Sequence, residues 1–361
     1  MEQPPIYPMI GLMSGTSCDG LDIVAVTFEE TSSAWNYVIH AAETSAFPTT
    51  MGKKLSTCHL LCAADLAILD VDFGKWIGEE VAAFCNKNNF SPLAIASHGH
   101  TVFHQPENSL SMQIGNGWSI YAASGVPVVN DFRSLDVRLG GQGAPLVPIG
   151  DKLLFSEYDF CLNLGGIANI SYQADGRQVA FDISPFNLLL NHFANKLGHP
   201  FDRDGRLAQA GEVHNLLLKQ LNELPYYQIQ GAKSLGREQI DRDFLPLLTN
   251  SGIGDPDLLA TLSAHMAYQV AASIKNGTQE NGKLLCTGGG AYNAFFIQQL
   301  REKTKGLVEI TVPSAHLVEF KEALIFALLG VLRLTGRPNC LASVTGASKD
   351  SCGGTLFGLI S

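Results

Sequence analysis

The sequence predicts a duplicated α/β protein, two similar halves around one central cleft, and three observations carry that prediction. The order hairpin, third strand, helix occurs twice, at about 8–60 and again at about 160–197. Glycine-rich turns leave predicted strands at 11–22, at Gly165-Gly166 and at Gly288-Gly289-Gly290. The length of 361 residues suits about two domains of roughly 150 residues each.

Hydrophobic residues make up 46% of the chain and charged residues only 16%, the balance of a folded chain with a sizeable core. A formal net charge of −10 argues against a nucleic-acid or anionic-membrane surface, so an anionic substrate needs a local basic site. The first five residues show no basic region followed by an apolar core, so no signal peptide is expected. The apolar run 323–332 is too short to span a bilayer and predicts a buried helix. Eight cysteines without framework spacing suit reduced thiols and a cytoplasmic location.

From the N-terminus, 8–46 reads as a hairpin and a third strand over 37–47. Gly15 and Gly20 permit a tight backbone between the first two strands, and Ser14, Thr16 and Ser17 offer donors to an anion. Asp19 and Asp22 could hold Mg²⁺ through its waters. A plain hairpin turn of Gly, Ser, Thr and Asp is the alternative. Phe73, Trp76, Ile77, Glu80, Val81 and Phe84 keep a mostly apolar three-four spacing within a helical stretch, 48–89. A buried strand follows at 92–97, a loop beginning at His98, a short helix at 118–124 and a strand at 126–129.

Residues 131–148 are Gly-rich and carry Arg133, Asp136 and Arg138, a length of irregular chain that is often functional. This stretch is also a candidate crossover, which puts one domain at 1–128 plus 343–361 and the other at 129–342. The pattern then restarts: strand, Gly turn and strand over 160–172, a third strand at 179–183 and a helix at 185–197. A strand at 283–286 enters Gly288-Gly289-Gly290 before a helix from Ala294, a turn that suits close approach of a nucleotide.

Gly-Leu-Met-Ser-Gly-Thr-Ser-x-Asp-Gly at 11–20 heads a series of strings in fixed order. It continues through Ser-His-Gly-x-Thr at 97–101, Gln-Ile-Gly-Asn at 113–116, Asp-Phe-Arg at 131–133 and Gly-Gly-Gln-Gly-Ala-Pro-Leu-Val-Pro at 140–148. Asn-Leu-Gly-Gly-Ile-Ala-Asn at 163–169, Phe-Asp-Arg-Asp-Gly at 201–205, Lys-Ser-x-Gly-Arg-Glu at 233–238 and Gly-Gly-Gly-Ala-Tyr-Asn at 288–293 complete it. The chain resembles the anhydro-N-acetylmuramic acid kinases, within the actin, Hsp70 and sugar-kinase superfamily. The resemblance implies a duplicated ribonuclease-H-like fold and a cytoplasmic cell-wall recycling enzyme. Such an enzyme opens the bridge of 1,6-anhydro-N-acetylmuramic acid with water and phosphorylates O6 from Mg-ATP, giving N-acetylmuramic acid 6-phosphate. It implies ATP and Mg²⁺ as cofactors, a small anhydro amino sugar as partner, no nucleic acid or membrane, and a possible homodimer.

By the same resemblance, Asp182 is the base that deprotonates the attacking water, and Glu322 helps hold the sugar and that water. Gly15, Thr16, Ser17, Cys18, Asp19, Gly20, Leu21 and Asp22 meet the β- and γ-phosphates, with Asp19 and Asp22 toward the metal. Gly165 and Gly166 form a second phosphate turn, and Gly288, Gly289 and Gly290 pass along the adenosine. His98, Gln113, Asp131 and Arg133 are expected to contact the sugar. Each has a structural alternative. Asp182 could cap the helix after it, and Glu322 could be a first-turn charge on a helix starting there. Arg133 could pair with the lactyl carboxylate or a phosphate, or brace its loop in an ion pair with Asp131. His98, His100 and His104 could hold a metal or make sugar and backbone contacts.

After Asp182 the family continues with Gly-Pro-Gly-Asn and an aspartate, but here Ser184-Pro185-Phe186-Asn187 follows and Asn191 replaces the acid. Lys321 stands where an apolar residue is common. Side chains beside the expected base leave open a kinase for a different amino sugar, or a non-catalytic nucleotide-binding sensor.

Overall fold

Long apolar runs build the first sheet. In a computed structural model, which describes residues 4–15, 20–31, 34–229, 233–275, 277 and 281–358, strands β1 (Ile6–Ser14) and β2 (Gly20–Glu30) pair antiparallel. Residues 9–12 and 23–26 are buried without alternation, as strands covered on both faces should be. β3 (Trp35–Ala46) pairs antiparallel with β2, and β4 (Ala94–Ser97), wholly buried, lies parallel to β1. Where a loop was expected after His98, β5 (His100–Gln105) and β6 (Leu110–Ile114) form a separate antiparallel hairpin. Its strands carry His, Thr, Gln and Ser, so no apolar alternation announces it. β7 (Val128–Asn130) then joins parallel to β4.

The second sheet repeats the first. β8 (Phe160–Leu164), β9 (Ile167–Ala174) and β10 (Arg177–Pro185) are successively antiparallel. β11 (Gly282–Thr287) and β12 (Val308–Thr311) add parallel to β8 and to each other. Both sheets share the spatial order third, second, first, fourth, fifth, with the same strand senses, which is the duplicated ribonuclease-H-like architecture. β13 (Thr355–Phe357) extends the first sheet antiparallel to β7.

Helices are placed by small residues as much as by large ones. The helix Ala63–Asn88 covers the first sheet with Leu66, Leu69, Phe73, Ile77, Val81 and Phe84, the spacing its sequence announces. The helix Ala315–Leu334 packs where Gly11 lies against the Ala323 carbonyl and where a Cβ on Gly330 would stand 2.7 Å from Ala96 Cβ. No larger residue fits either position, and this contact fixes where Lys321 and Glu322 emerge. In the second unit the helix Asp255–Lys275 supplies the core with Leu258, Leu259, Leu262, Met266 and Val270.

The chain divides into Met1–Leu154 with Phe320–Ser361, and Phe155–Glu319. Both divisions lie away from the expected 128/129 and 342/343. Residues 129–154 stay with the first unit because Asp136 Oδ1 accepts from Thr345 Oγ1 (2.7 Å) and Lys321 pairs with buried Asp151 (2.6 Å). Residues 320–342 stay with it through the Gly11 and Gly330 contacts. Among the described residues no helix is long and apolar enough to cross a membrane.

Candidate active site

Asp182 sits in β10 at a bulge, where the pairing with β9 shifts between Asp182 and Ser184. A bulge beside a functional group commonly re-aims a side chain. The helix Asn187–Lys196 starts five residues on, with Phe186 at its N-cap position, so Asp182 is not that helix's cap. Directly across the sheet stand Asn169 and then Asn163, which puts three polar side chains in one row. The string Asn-Leu-Gly-Gly-Ile-Ala-Asn supplies two members of that row and the turn between them.

Tyr226, Lys233 and Leu235 hold Asp182 in place. The Leu235 amide donates to Asp182 Oδ2 (2.9 Å), the Asp182 amide donates to the Lys233 carbonyl (3.0 Å), and the Tyr226 hydroxyl donates to the Asp182 carbonyl (2.6 Å). Oδ1 has no hydrogen-bond partner among the described residues. Burial pushes the carboxyl pKa up, opposed by the Leu235 hydrogen bond. Lys233 Nζ lies 4.6 Å from the centre of the Tyr226 ring and donates to the Tyr226 carbonyl (3.3 Å); burial lowers its pKa. The chemical result is an acceptor oxygen with raised basicity on a rigid strand.

The two glycine turns of this unit differ in what constrains them. The Gly166 carbonyl accepts from the Phe186 amide (2.8 Å) and Leu188 amide (3.1 Å), and the Gly165 carbonyl from the Asn187 amide (3.2 Å). The β8–β9 turn is thereby fastened to the start of the following helix. Gly288 has φ +79°, and a Cβ there would come within 2.5 Å of Asn163 Oδ1. Gly289 faces open space, whereas any side chain on Gly290 would strike the Phe186 ring. Phe186 is fully buried, edge-on to Phe296 at 4.7 Å. The phenyl group beside Asp182 therefore fills the core.

In the first unit His98, Arg133 and Glu322 come together. Arg133 Nη1 donates to the Gly143 carbonyl (2.6 Å) and Nη2 to His98 Nε2 (2.9 Å). His98 Nδ1 faces the Gly99 carbonyl (2.8 Å), which assigns its proton to Nδ1 and leaves Nε2 as the acceptor. Burial, then the Arg133 charge, push His98 down to about 3, so the ring is neutral. Arg133 Nε is buried without a hydrogen-bond partner, and no Arg133–Asp131 ion pair exists among the described residues. Asp131 instead adopts φ +55° and its Oδ1 accepts from the Ser134 amide (3.3 Å).

Glu322 lies well inside the helix Ala315–Leu334, so a first-turn dipole role is corrected. The seven residues before it mix polar and apolar types, which hid the true start. Burial raises its pKa, Arg133 and Lys321 pull it back, and Asp22 pushes it up. Asp22 Oδ1 accepts from Thr44 Oγ1 (2.6 Å) across the β2–β3 pair. No group of three metal-binding side chains occurs among the described residues, so Asp22 could meet a hard cation only through waters and phosphate oxygens.

Thr16, Ser17, Cys18 and Asp19 lie outside the described residues. Gly15 and Gly20 flank them, and a Cβ on Gly20 would stand 2.7 Å from the Ser45 carbonyl oxygen. The Leu21 side chain belongs to the core, leaving only its backbone for a ligand. Gln113 Nε2 donates to Ser111 Oγ (3.0 Å), beside His104 Nδ1 at 3.2 Å from the same oxygen. His100 Nδ1 lies 3.3 Å from Ser14 Oγ. The three histidines thus have separate partners and form no metal cluster.

The roles of two groups that place these side chains were not assigned from the sequence. Asp136, buried, accepts from the Gly143 amide (2.8 Å), Thr345 Oγ1 and Cys340 Sγ (3.1 Å), and so fixes the carbonyl that holds Arg133. Leu235 belongs to Lys-Ser-x-Gly-Arg-Glu, a string that was visible although its contact with Asp182 was not.

A family profile described as anhydro-N-acetylmuramic acid kinase matches residues 7–358. The chain is 37% identical over 378 residues to the protein of that name from Shewanella frigidimarina, covering 99% of each. It is 35% identical over 365 residues to that of Coxiella burnetii, covering 96% of each. Component A of the (R)-2-hydroxyglutaryl-CoA dehydratase from Acidaminococcus fermentans is a distant likeness. It has a TM-score of 0.44 and 12% identity over 89% of this chain and 96% of that one.

Proposed function

The chain belongs to the anhydro-N-acetylmuramic acid kinase family, and we propose that it hydrolyses the anhydro bridge of 1,6-anhydro-N-acetylmuramic acid and phosphorylates O6 at the expense of ATP. The observation that carries the reading is Asp182: a carboxylate with raised basicity, one oxygen fixed by the Leu235 amide and the other free for water. A base works best when its pKa moves toward the working pH.

In this reading Asp182 Oδ1 takes a proton from the water that attacks the anomeric carbon. The C1–O6 bond breaks as the new C1–O bond forms, and O6 bonds to the γ-phosphorus as the bond to ADP breaks. Arg133 and Glu322 bind and orient the sugar, with neutral His98 holding the guanidinium plane. The hairpin around Gly15–Gly20, the turn at Gly165-Gly166 and Gly288–Gly290 position the nucleotide, which is most of what phosphoryl transfer requires. Asp22 would hold Mg²⁺ through water, and the ion would neutralise charge on the phosphates. Ser184 and Phe186 are both fully buried, which removes the reason for preferring a different amino sugar.

The test is mass analysis of products from the anhydrosugar, Mg-ATP and ¹⁸O-labelled water. The expected result is ADP and N-acetylmuramic acid 6-phosphate with one label at the anomeric oxygen. No ADP release from protein that binds ATP, or label in the phosphoryl group, refutes the scheme.

A further inference from the structure

Two residues past Asp182, Ser184 is fully buried, yet its hydroxyl is not idle. Ser184 Oγ lies 3.1 Å from the Pro185 carbonyl oxygen and 3.2 Å from the Tyr227 hydroxyl. The Tyr227 hydroxyl lies 2.7 Å from His265 Nε2, and His265 Nδ1 lies 2.7 Å from Asn222 Oδ1. Gln269 Nε2 donates to the same amide oxygen at 3.0 Å. An oxygen facing Nδ1 assigns the imidazole proton to Nδ1 and leaves Nε2 to accept the single Tyr227 proton. The Ser184 hydroxyl therefore closes the chain by donating to the Tyr227 oxygen rather than to the Pro185 carbonyl. Burial drives His265 down to about 3, so every member of this chain is neutral.

The far end of the chain is rigid. Asn222 closes the helix Asn215–Asn222, and His265 and Gln269 sit one turn apart on Asp255–Lys275, the helix that fills the core. The near end is the bulge itself. Tyr226, next in sequence to Tyr227, donates to the Asp182 carbonyl, so adjacent tyrosines grip the bulge at Asp182 and at Ser184. A bulged strand has lost a ladder contact at this point and needs another constraint to keep one orientation.

We propose that Ser184, Tyr227 and His265 form a hydrogen-bonded strut that orients the Asp182 carboxylate, making Ser184 and Tyr227 positioning residues for the proton-abstraction step. The inference rests on Asp182 being the base. It also gives the buried Ser184 hydroxyl a purpose, since it restrains the turn that follows the bulge. A buried polar network is tolerable only when all its members are satisfied, and loss of one releases the rest.

The test uses the full-length protein and the variants Ser184→Ala, Tyr227→Phe, the double variant and Asp182→Asn. Turnover of the anhydrosugar, KM, ATP affinity and melting temperature are measured for each. Ser184→Ala and Tyr227→Phe should each lower kcat about tenfold, the size of effect expected from small misplacement of a reacting group, with KM within about twofold. The double variant should be no worse than the poorer single one, because both cut the same strut. Wild-type kcat in Ser184→Ala, or multiplicative losses in the double variant, overturns the strut while Asp182→Asn remains inactive. Full activity in Asp182→Asn overturns the underlying assignment instead. Should Tyr227→Phe fail to fold, Ser184→Ala decides alone, since it deletes one oxygen and keeps the Cβ.

Discussion

Phe186→Ala separates a core role from a site role at the most unusual position beside Asp182. The ring is fully buried, edge-on to Phe296 at 4.7 Å and 78°, in space that exists only because Gly290 has no side chain. Transfer of the phenyl group out of water contributes about 1.5–3 kcal/mol, and the aromatic pair about 0.5–1.5 kcal/mol more. With the cavity left behind, truncation should cost about 3–5 kcal/mol. The assay must watch the correct half of the chain. All three tryptophans, Trp35, Trp76 and Trp118, lie within residues 1–154, so their fluorescence reports the other unit. Amide hydrogen exchange over 160–197 and 282–303, followed against denaturant, reads the unit that holds the ring. Protection should fall by the stated energy while kcat, measured well below the transition, stays within about threefold of wild type. A loss under about 1 kcal/mol, or a hundredfold fall in kcat with protection intact, would refute the placement of the phenyl group in the core.

Three further outcomes follow from the same contacts. Burial raises the Asp182 pKa in the folded protein, so its contribution to stability is full below about pH 4 and is lost as pH rises through the higher folded value. Asp182→Asn should therefore melt higher than wild type at pH 7 and lose that advantage near pH 4, a comparison made by melting temperature against pH. Asp136→Asn halves the acceptors that hold Gly143, Thr345 and Cys340; it should cost about 1–3 kcal/mol and raise the sugar KM, because the Gly143 carbonyl orients Arg133. Lys321→Met strips buried Asp151 of its cation and should cost about 3–5 kcal/mol in denaturant titrations followed by tryptophan fluorescence, with Asp151→Leu in the same chain recovering most of it.

What could be read from the sequence was whatever local pattern controls. Unbroken apolar runs marked β1, β2 and β8, and their glycine turns marked the duplication, because a doubly covered strand has no other composition open to it. The row Asn163, Asn169, Asp182 was within reach, since pairing across the two-glycine turn sets Asn163 opposite Asn169 and pairing across the Asp175-Gly176 turn sets Asn169 opposite Asp182. Contacts across long stretches of chain were not. Asp136 meets Thr345 after 209 residues and Leu235 meets Asp182 after 53, and nothing local marks either partner. The first domain boundary moved from 128/129 to 154/155 for the same reason: the Gly-rich segment is an irregular chain whose allegiance is decided by Asp136 and Asp151. Phe186 inverted its expected meaning because Gly290, 104 residues later, makes the room it occupies.

The two carboxylates proposed for the chemistry have different surroundings. Glu322 is buried toward Arg133 and Lys321, and those cations work against the rise that burial causes. Burial still raises its pKa on balance, and the guanidinium and ammonium lie on the side from which a ligand carboxylate or hydroxyl could be bound and oriented. Asp182 is opposed only by a backbone amide, so its basicity is raised and one oxygen keeps its lone pairs. A carboxyl whose basicity is raised and which keeps one oxygen open to water is suited to accept a proton. Such a group weakens the fold at neutral pH. Yet the chain holds it with the Tyr226 hydroxyl, the Lys233 carbonyl and the Leu235 amide, three contacts to a segment more than 40 residues away. Close support around a destabilising carboxylate accords with the proposed proton transfer rather than with any share in stability.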